Sequence, residues 1–427
     1  MDNMVFSDST RRPGISDRFI RTHNNGDRIP GVIEHARYNW TPVGSIKLAG
    51  GRVRPPRLGD GVRYLKWGNK VIGEIGKNNA VSFKAPVYNK VVALYTRGRY
   101  SWSANELNEF LAERIISRDR RDIERILFRL DLSRYTVPDI AEITRGIHPN
   151  DLFWIARSKN ERLEDVMTDV FTSVFRKRID LVGDGADSPE GYNIKRYGVY
   201  NKKYGIYKQR LNPLTTDVES EIAVSLLAEK LGVPVCPALR IDKDTIFSVF
   251  QYNYSKEYIV HFRRLFDGAR SDNEYQNLVG VRPQYRDDFA RMILLDFITR
   301  QDGRHLSNMA IKIGRGRESF YALYDNGRSL FYEDTVERVR AAVNDPVKYS
   351  TDFGYAGTYW DSIREIADEY GGIDGLINLD IDESDVRAIL TEAGFNGYRF
   401  YGALEWIVKA LDMVREVSGF LLKSYAK

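Results

Sequence analysis

The stretch Ile293-Leu-Leu-Asp-Phe-Ile-Thr-Arg-Gln-Asp302-Gly303-Arg304-His305-Leu-Ser-Asn308 decides the fold of this 427-residue chain. Its first part has the apolar spacing of a buried helix, which we expect over residues 286–300. A polar loop follows, and residues 309–313 and 319–324 have the pattern of two short strands joined by a glycine-containing turn. The run Tyr324-Asp325-Asn-Gly327 comes directly after them. The sequence therefore predicts a helix, a polar loop and a hairpin that ends at an aspartate.

Two side chains in this stretch are suited to bind a metal ion. Protein kinases place an Asn in such a polar loop and an Asp after the hairpin, and both hold magnesium ions that bridge nucleotide phosphates. Asn308 and Asp325 occupy these places in the order of elements. The sequence therefore predicts a site for ATP and Mg²⁺ with Asn308 and Asp325 as the metal ligands.

The catalytic base of such a site is an aspartate, and its place in this chain is unusual. In the kinase loop the Asp precedes the Asn by five residues, but here Gly303 holds that position and Asp302 lies six residues before Asn308. One residue moves the backbone by roughly 3 Å, and a displacement of about 1 Å can cost on the order of a hundredfold in rate. Either the loop bulges at Gly303 and returns Asp302 to the site, or catalysis is impaired.

A strand and a helix further upstream carry a pair of opposite charges. Residues 192–200 and 205–211 predict a hairpin with Lys208 in its second strand, and residues 217–231 predict a helix that carries Glu221. In kinases a strand Lys contacts the phosphates and is held by a Glu on the next helix. An isolated strand Lys is usually a solvated edge residue, but this order favours a Lys208–Glu221 pair, with Glu219 as the alternative partner. Further strand-like runs would close a five-stranded lobe.

A glycine-rich loop precedes this hairpin and a connecting segment follows the lobe. Gly185, Ser188 and Gly191 are candidates to cover phosphates, because glycine amides can approach them closely. Most glycine-rich turns are only turns, so this prediction depends on its neighbours.

Residues 250–254 would connect the two lobes and offer backbone groups of Gln251 and Tyr252 to an adenine edge. Residues 255–266 have a helical pattern and are expected to begin the second, helical lobe.

These motifs together resemble a known family. Lys208, the helix from Glu221 to Gly232, the His305-Leu-Ser-Asn308 loop and Tyr324-Asp325-Asn-Gly are similar to the HipA-like serine/threonine kinases of bacteria, which are distantly similar to phosphatidylinositol kinases. The resemblance covers about residues 62–340. It implies an α+β, two-lobed kinase-like fold of the HipA type, ATP with Mg²⁺, and a serine or threonine acceptor on a protein.

The resemblance also bears on His305 and on partners. The family loop reads Asp-x-His-x-x-Asn, so the family aspartate falls on Gly303 and the family histidine on His305. We expect His305 to brace the loop by hydrogen bonding, with general-base work as the alternative. HipA-like proteins often act as toxins beside a small DNA-binding antitoxin, and related chains occur on mobile elements, so the resemblance implies such a partner.

Four regions are expected along the chain. Residues 1–60 read as a loop-rich arm, 61–175 as a small β-sheet with helices, 176–254 as the β-rich N-lobe, and 255–427 as the helical C-lobe. Within the second region, Ser103 with a glutamate three residues later is a capping-box signal for a helix start.

Composition limits the remaining classes of protein. The one cysteine, Cys236, excludes an internal disulfide and gives no support to a cysteine zinc site. No apolar run has the length of a signal peptide core or a membrane span, so we expect a cytoplasmic protein without membrane contact.

Charge is uneven along the chain. Residues 1–110 hold 18 Lys and Arg against 9 Asp and Glu, whereas residues 361–427 hold 7 against 13. The basic region could face nucleic acid, or it could be an ordinary solvated surface, and no nucleic-acid-binding motif accompanies it. Three functions stay open: a protein kinase, a pseudokinase that binds ATP without transfer, and a nucleic-acid-associated protein.

Overall fold

The computed structural model describes most of the chain after residue 60, with the ranges 61–116, 118, 123–129, 132–148, 150–166, 195–253, 257–266, 275–314, 316–350 and 357–424. The predicted arm at residues 1–60 lies outside them, as does the glycine-rich loop with Gly185, Ser188 and Gly191. The expected region boundaries at 60, 175 and 254 also fall on residues outside these ranges, so they stay predictions.

The first described region is an antiparallel sheet with short helices. Its strands have the order β4-β3-β2-β1-β5, and Leu65, Ile72 and Trp102 lie in its core. Ser103 and Glu106 form the predicted capping box, with Glu106 N donating to Ser103 Oγ at 3.3 Å and Ser103 N donating to Glu106 Oε2 at 2.8 Å. The elements are β1 (Arg63–Trp67), β2 (Lys70–Ile75), β3 (Val81–Phe83), α1 (Lys90–Thr96), β4 (Ser101–Trp102), α2 (Ala104–Ala112), α3 (Ile123–Arg129), α4 (Val137–Thr144) and β5 (Phe153–Ala156).

The second region carries the predicted charge pair on a smaller sheet. The hairpin prediction is confirmed, and the described strands have the order β6-β7-β9-β8, so four strands are seen where five were expected. Lys208 in β7 pairs with Ile246 of the central β9, which places it inside the sheet. The elements are β6 (Lys195–Tyr200), β7 (Lys203–Gln209), α5 (Asp217–Leu231), β8 (Ala238–Arg240) and β9 (Thr245–Val249).

The third region is mainly helical but begins with a strand. The helix expected over residues 255–266 is wrong for residues 257–261, which pair antiparallel with β11, and only the short helix Phe262–Leu265 follows. The pairing buries Ile259 and Val260. The elements are β10 (Glu257–His261), α6 (Phe262–Leu265), α7 (Tyr275–Val281), α8 (Arg286–Ile298), β11 (Ala310–Gly314), β12 (Arg317–Phe320), α9 (Val336–Asn344), α10 (Tyr359–Tyr370), α11 (Glu383–Glu392) and α12 (Gly397–Ser424).

Helix α8 is the core of this helical region and fixes where the polar loop begins. Phe289, Ile293 and Phe297 have no exposed surface, and Trp406 of α12 donates from its indole Nε1 to the carbonyl oxygen of Phe297 at 3.0 Å. Every side chain from Met292 to Ile298 is buried, so this part of the helix cannot rotate without loss of packing. The described residues thus form an α+β fold in which a sheet-rich part precedes a helix-rich part, as expected. None of their helices is both long and apolar enough to cross a membrane.

Replacement of Gly205 by alanine is expected to lower the free energy of unfolding by about 2 kcal/mol or more, because overpacking forces neighbouring groups apart. A Cβ at this position in β7 would collide with Ser248 O and lie 2.7 Å from Phe247 Cζ. Gly280→Ala is the control, since a Cβ there meets nothing within 4 Å. Urea unfolding of both variants measures the difference, and equal stabilities would contradict it.

Candidate functional site

Lys208 joins the two lobes through two carboxylates. Its Nζ donates to Glu221 of α5 and, at 3.0 Å, to Asp325 Oδ1. Lys208 is 6% exposed and Glu221 is 4% exposed. Burial by itself lowers the pKa of Lys208, but the charges of Asp325 and Glu221 outweigh it and the pKa lies above its ordinary value. The predicted Lys208–Glu221 pair is therefore present, and Lys208 stays cationic at neutral pH.

Helix α5 also contacts the loop that follows Asp325. Ser220 Oγ donates to Ser329 O at 2.8 Å, and the backbone N–H of Thr216, which precedes the helix, donates to Tyr332 O at 2.9 Å. A Cβ on Gly327 would lie 3.5 Å from Glu221 Cγ, so the loop passes close to the helix. These contacts hold α5 against the Asp325 loop. Glu221 and Asp325 therefore both stay within contact distance of Lys208.

The polar loop orients Asn308. Asn308 Nδ2 donates to Gly303 O at 2.8 Å, and the backbone N–H of Asn308 donates to His305 O at 2.7 Å. Because the amide nitrogen is engaged, Oδ1 is the atom available to ligate a metal ion. His305 Nδ1 accepts from Ser307 N at 3.2 Å and caps the 3₁₀ turn Leu306–Asn308. This contact fits the bracing role expected for His305.

Arg304 organises the site and was missed by the sequence analysis. It is 1% exposed and forms an ion pair with Asp296 of α8, which is also 1% exposed. Its Nη1 donates to Asn308 O at 3.1 Å and to Tyr324 O at 3.0 Å, and its Nη2 donates to Asn326 Oδ1 at 2.8 Å. One guanidinium thus holds α8, the polar loop and the Asp325 loop together. One signal in the sequence could have found this pair. Asp296 is a charged residue inside an otherwise apolar helix pattern, and Arg304 follows it eight residues later.

Asp302 is held by residues that its sequence position did not indicate. Its Oδ2 accepts from Arg300 Nη1 at 2.8 Å, and its Oδ1 accepts from Tyr349 OH at 3.2 Å. Arg300 Nη1 also donates to Asp334 Oδ2 at 3.0 Å. Asp302 is about one-third exposed. Its role as a catalytic base stays a prediction.

Four of the nine described non-glycine residues with a positive φ angle lie around this site. Arg300, Asp325, Leu330 and Phe331 have φ angles of 47°, 60°, 53° and 62°. Residues other than glycine rarely adopt these backbone angles. Such conformations persist where the surrounding structure enforces them, often at functional sites. The strain therefore supports a functional role for the two loops.

A tyrosine side chain contacts the backbone of the connecting segment at the place where adenine is expected to bind. Tyr321 OH accepts from Gln251 N at 3.0 Å, and Gln251 O accepts from Lys312 Nζ at 3.4 Å. Tyr252 is buried beside Phe250 and Tyr321, with ring centroids 5.1 Å and 5.7 Å away. Both backbone groups of Gln251 are thus engaged within the protein, so a base could use them only by displacing these partners.

The donor set fits a magnesium ion. Mg²⁺ is usually held by one or two carboxylates together with substrate phosphates and water, not by a cage of protein ligands. Asp325 offers a carboxylate and Asn308 an amide oxygen. Within the described ranges, no group of three or more His, Cys, Asp or Glu residues could hold a metal by itself. The buried cation of Lys208 next to Asp325 suits an anionic phosphate group.

Comparison with known proteins gives structural similarities only. No family model and no curated protein matches the chain. The proinflammatory kinase CtkA of Helicobacter pylori is similar at 13% identity, over 54% of this chain and 92% of CtkA, with a TM-score of 0.41. HipA of Shewanella oneidensis MR-1, in its complex with HipB and operator DNA, is similar at 12% identity, over 83% of this chain and 99% of HipA, with a TM-score of 0.46. The chain is thus similar in structure to a bacterial kinase and to a HipA protein, the latter from the family that its sequence resembles.

Proposed function

We propose that this chain is an ATP- and Mg²⁺-dependent serine/threonine protein kinase of the HipA type, which transfers the γ-phosphate of ATP to a protein hydroxyl. The observation that carries the proposal is the contact of Lys208 with both Glu221 and Asp325. A buried lysine that joins a helix glutamate to the aspartate after a hairpin is the arrangement that kinases use to hold phosphates and metal.

Each residue has a role in this proposal. Lys208 binds phosphate oxygens and is kept in place by Glu221, while Asp325 and Asn308 hold Mg²⁺. The metal, when bound, neutralises charge on the phosphates. Asp302 accepts the proton of the acceptor hydroxyl, and its contacts with Arg300 and Tyr349 fix its orientation.

The test is phosphate transfer measured by intact mass and by ADP release, with Mg²⁺ and ATP. We expect Asp302→Asn to lower the rate by about a hundredfold, the usual contribution of a positioned base. Asp334→Asn is the matched control, because Asp334 also accepts from Arg300 Nη1, at 3.0 Å. An unaltered chain that gains no phosphate and releases no ADP would contradict the proposal, and equal rates in the two variants would remove Asp302 from it.

A pseudokinase is the second candidate, favoured by the glycine at position 303. A Cβ there would lie 3.1 Å from Arg328 Cδ, 3.2 Å from Arg328 Cβ and 3.3 Å from Gln301 Oε1, so both neighbours must move by a few tenths of an ångström to accommodate Gly303→Asp. Phosphate gained by Gly303→Asp but not by the unaltered chain would show a site that binds ATP and lacks its base.

The proposal includes a partner protein. The sequence resemblance supports a small DNA-binding, antitoxin-like protein as a partner. Co-purification of the chain with the product of a neighbouring small gene, followed by loss of phosphate transfer in the complex, would test it.

Nucleic-acid binding by the basic amino-terminal residues predicts DNA affinity that falls steeply with salt, and no binding at low salt would exclude it.

A further inference from the structure

A chain of hydrogen bonds joins the first described region, which contains β1 to β5, to the loops of the candidate site. Asn150 Nδ2 lies 2.8 Å from His261 Nε2, and His261 Nδ1 lies 2.7 Å from Tyr324 OH. Tyr324 OH donates in turn to Ser307 O at 2.9 Å. Ser307 and Tyr324 each directly precede a candidate metal ligand. The chain therefore ends on both loops that would hold the metal ion.

One histidine tautomer satisfies every bond in this chain. Asn150 donates to Nε2 of His261, so Nδ1 carries the hydrogen and donates to the Tyr324 oxygen, which leaves the hydroxyl hydrogen for Ser307 O. Asn150, His261 and Tyr324 thus donate in succession, from the first described region toward the site.

Asn150 is firmly held at the start of this chain. Its carbonyl oxygen accepts from Ile259 N at 2.8 Å, and its N–H donates to His148 Nδ1 at 3.2 Å. The next residue, Asp151, forms a bidentate ion pair with Arg114, with both bonds at 2.7 Å and both side chains less than 5% exposed. A bidentate buried pair fixes geometry strongly. The turn that carries Asn150 is thus a rigid support built from the first sheet region.

His261 occupies a position where it can transmit this support. It is the last residue of β10 and pairs with Ala310, the first residue of β11, while Phe262 N donates to Met309 O at 2.9 Å. Its ring meets the Tyr324 ring edge to face, with centroids 6.0 Å apart. His261 therefore joins the strand that follows Asn308, through its backbone, to the residue that precedes Asp325, through its ring.

We propose that His261 is a positioning residue, through which the turn at Asn150 sets the geometry of the metal ligands Asn308 and Asp325. Loss of the Asn150 contact is expected to weaken metal binding although the ligands themselves are unchanged. This consequence rests on the proposed ATP and Mg²⁺ binding, whereas the positioning itself does not.

Hydrogen exchange of the full-length protein without ligands tests the positioning. We expect Asn150→Ala to raise amide exchange in residues 303–309 and 322–327 about fivefold, the effect of one lost hydrogen bond on local opening. Asn69→Ala is the matched control: Asn69 also lies in the first region, where its side chain bonds Glu164 and Leu163 N instead of β10. Faster exchange confined to residues 146–152 and 257–262 in Asn150→Ala would overturn the proposal.

A double-mutant cycle on the metal dependence of binding gives the second test. The measured quantity is the ratio of ATP affinities with and without Mg²⁺, which a general loss of stability does not change. We expect Asn150→Ala and Tyr324→Phe each to lower this ratio, and their combination to equal Tyr324→Phe alone, because both act through His261. Fully multiplicative effects would overturn the coupling. If the unaltered chain binds no ATP, the proposed function fails, and the exchange measurement still decides the positioning.

Discussion

Replacement of Lys208 by methionine is expected to lower the affinity for Mg²⁺-ATP by about a hundredfold, the effect of losing one charge-assisted contact worth roughly 3 kcal/mol. Methionine has a similar length and fills the same buried space, so the change removes mainly the charge. Isothermal calorimetry of the full chain measures the affinity. Lys203→Met is the matched control, because Lys203 is an exposed lysine in the same strand.

The same substitution is expected to destabilise the protein in a pH-dependent way. The pKa of Lys208 is raised above its ordinary value of 10.5, so its ion pairs with the ionised carboxylates contribute their full stability from neutral pH up to 10.5 and lose it as the pH rises through the folded-state pKa. The loss in Lys208→Met should therefore be constant near neutral pH and shrink only in strong alkali. Urea unfolding at pH 7 and above pH 10.5 measures it. Unchanged affinity and stability at pH 7 would contradict the role given to Lys208.

Replacement of Arg304 by leucine is expected to cost about 3–5 kcal/mol of unfolding free energy, because it leaves the carboxylate of Asp296 buried without a partner. Both side chains are 1% exposed. The double variant Asp296→Leu/Arg304→Leu should recover much of this loss, since apolar groups can replace a buried ion pair at little cost. Urea unfolding of the two single variants and the double variant measures the coupling.

Arg304→Lys separates the charge of Arg304 from its shape. Lysine keeps the ion pair with Asp296 but lacks the planar fork that reaches Asn308 O, Tyr324 O and Asn326 Oδ1 together. We expect this variant to unfold at nearly the unaltered urea concentration and to bind Mg²⁺-ATP at least about tenfold more weakly. Binding equal to that of the unaltered chain would show that Arg304 only stabilises the fold.

Local signals determined the elements that the sequence predicted correctly. The capping box of Ser103 and Glu106 and the β6–β7 hairpin depend on contacts within a few residues, so their residue types announce them. The helix expected over residues 255–266 was wrong because its five strand residues pair with β11, about fifty residues later in the chain. A short apolar run carries no mark of which partner will satisfy its backbone.

The sequence by itself determined which residue types would meet at the site, since the order of Lys208, Glu221, Asn308 and Asp325 follows the order of the elements that carry them. Only the tertiary structure decided how they are held. Lys208 and Asp325 are 117 residues apart, and their contact depends on how α5 packs against the Asp325 loop. The partners of Asp302 and the bonds of Arg304 depend in the same way on contacts between distant segments, which packing selects and local sequence does not encode.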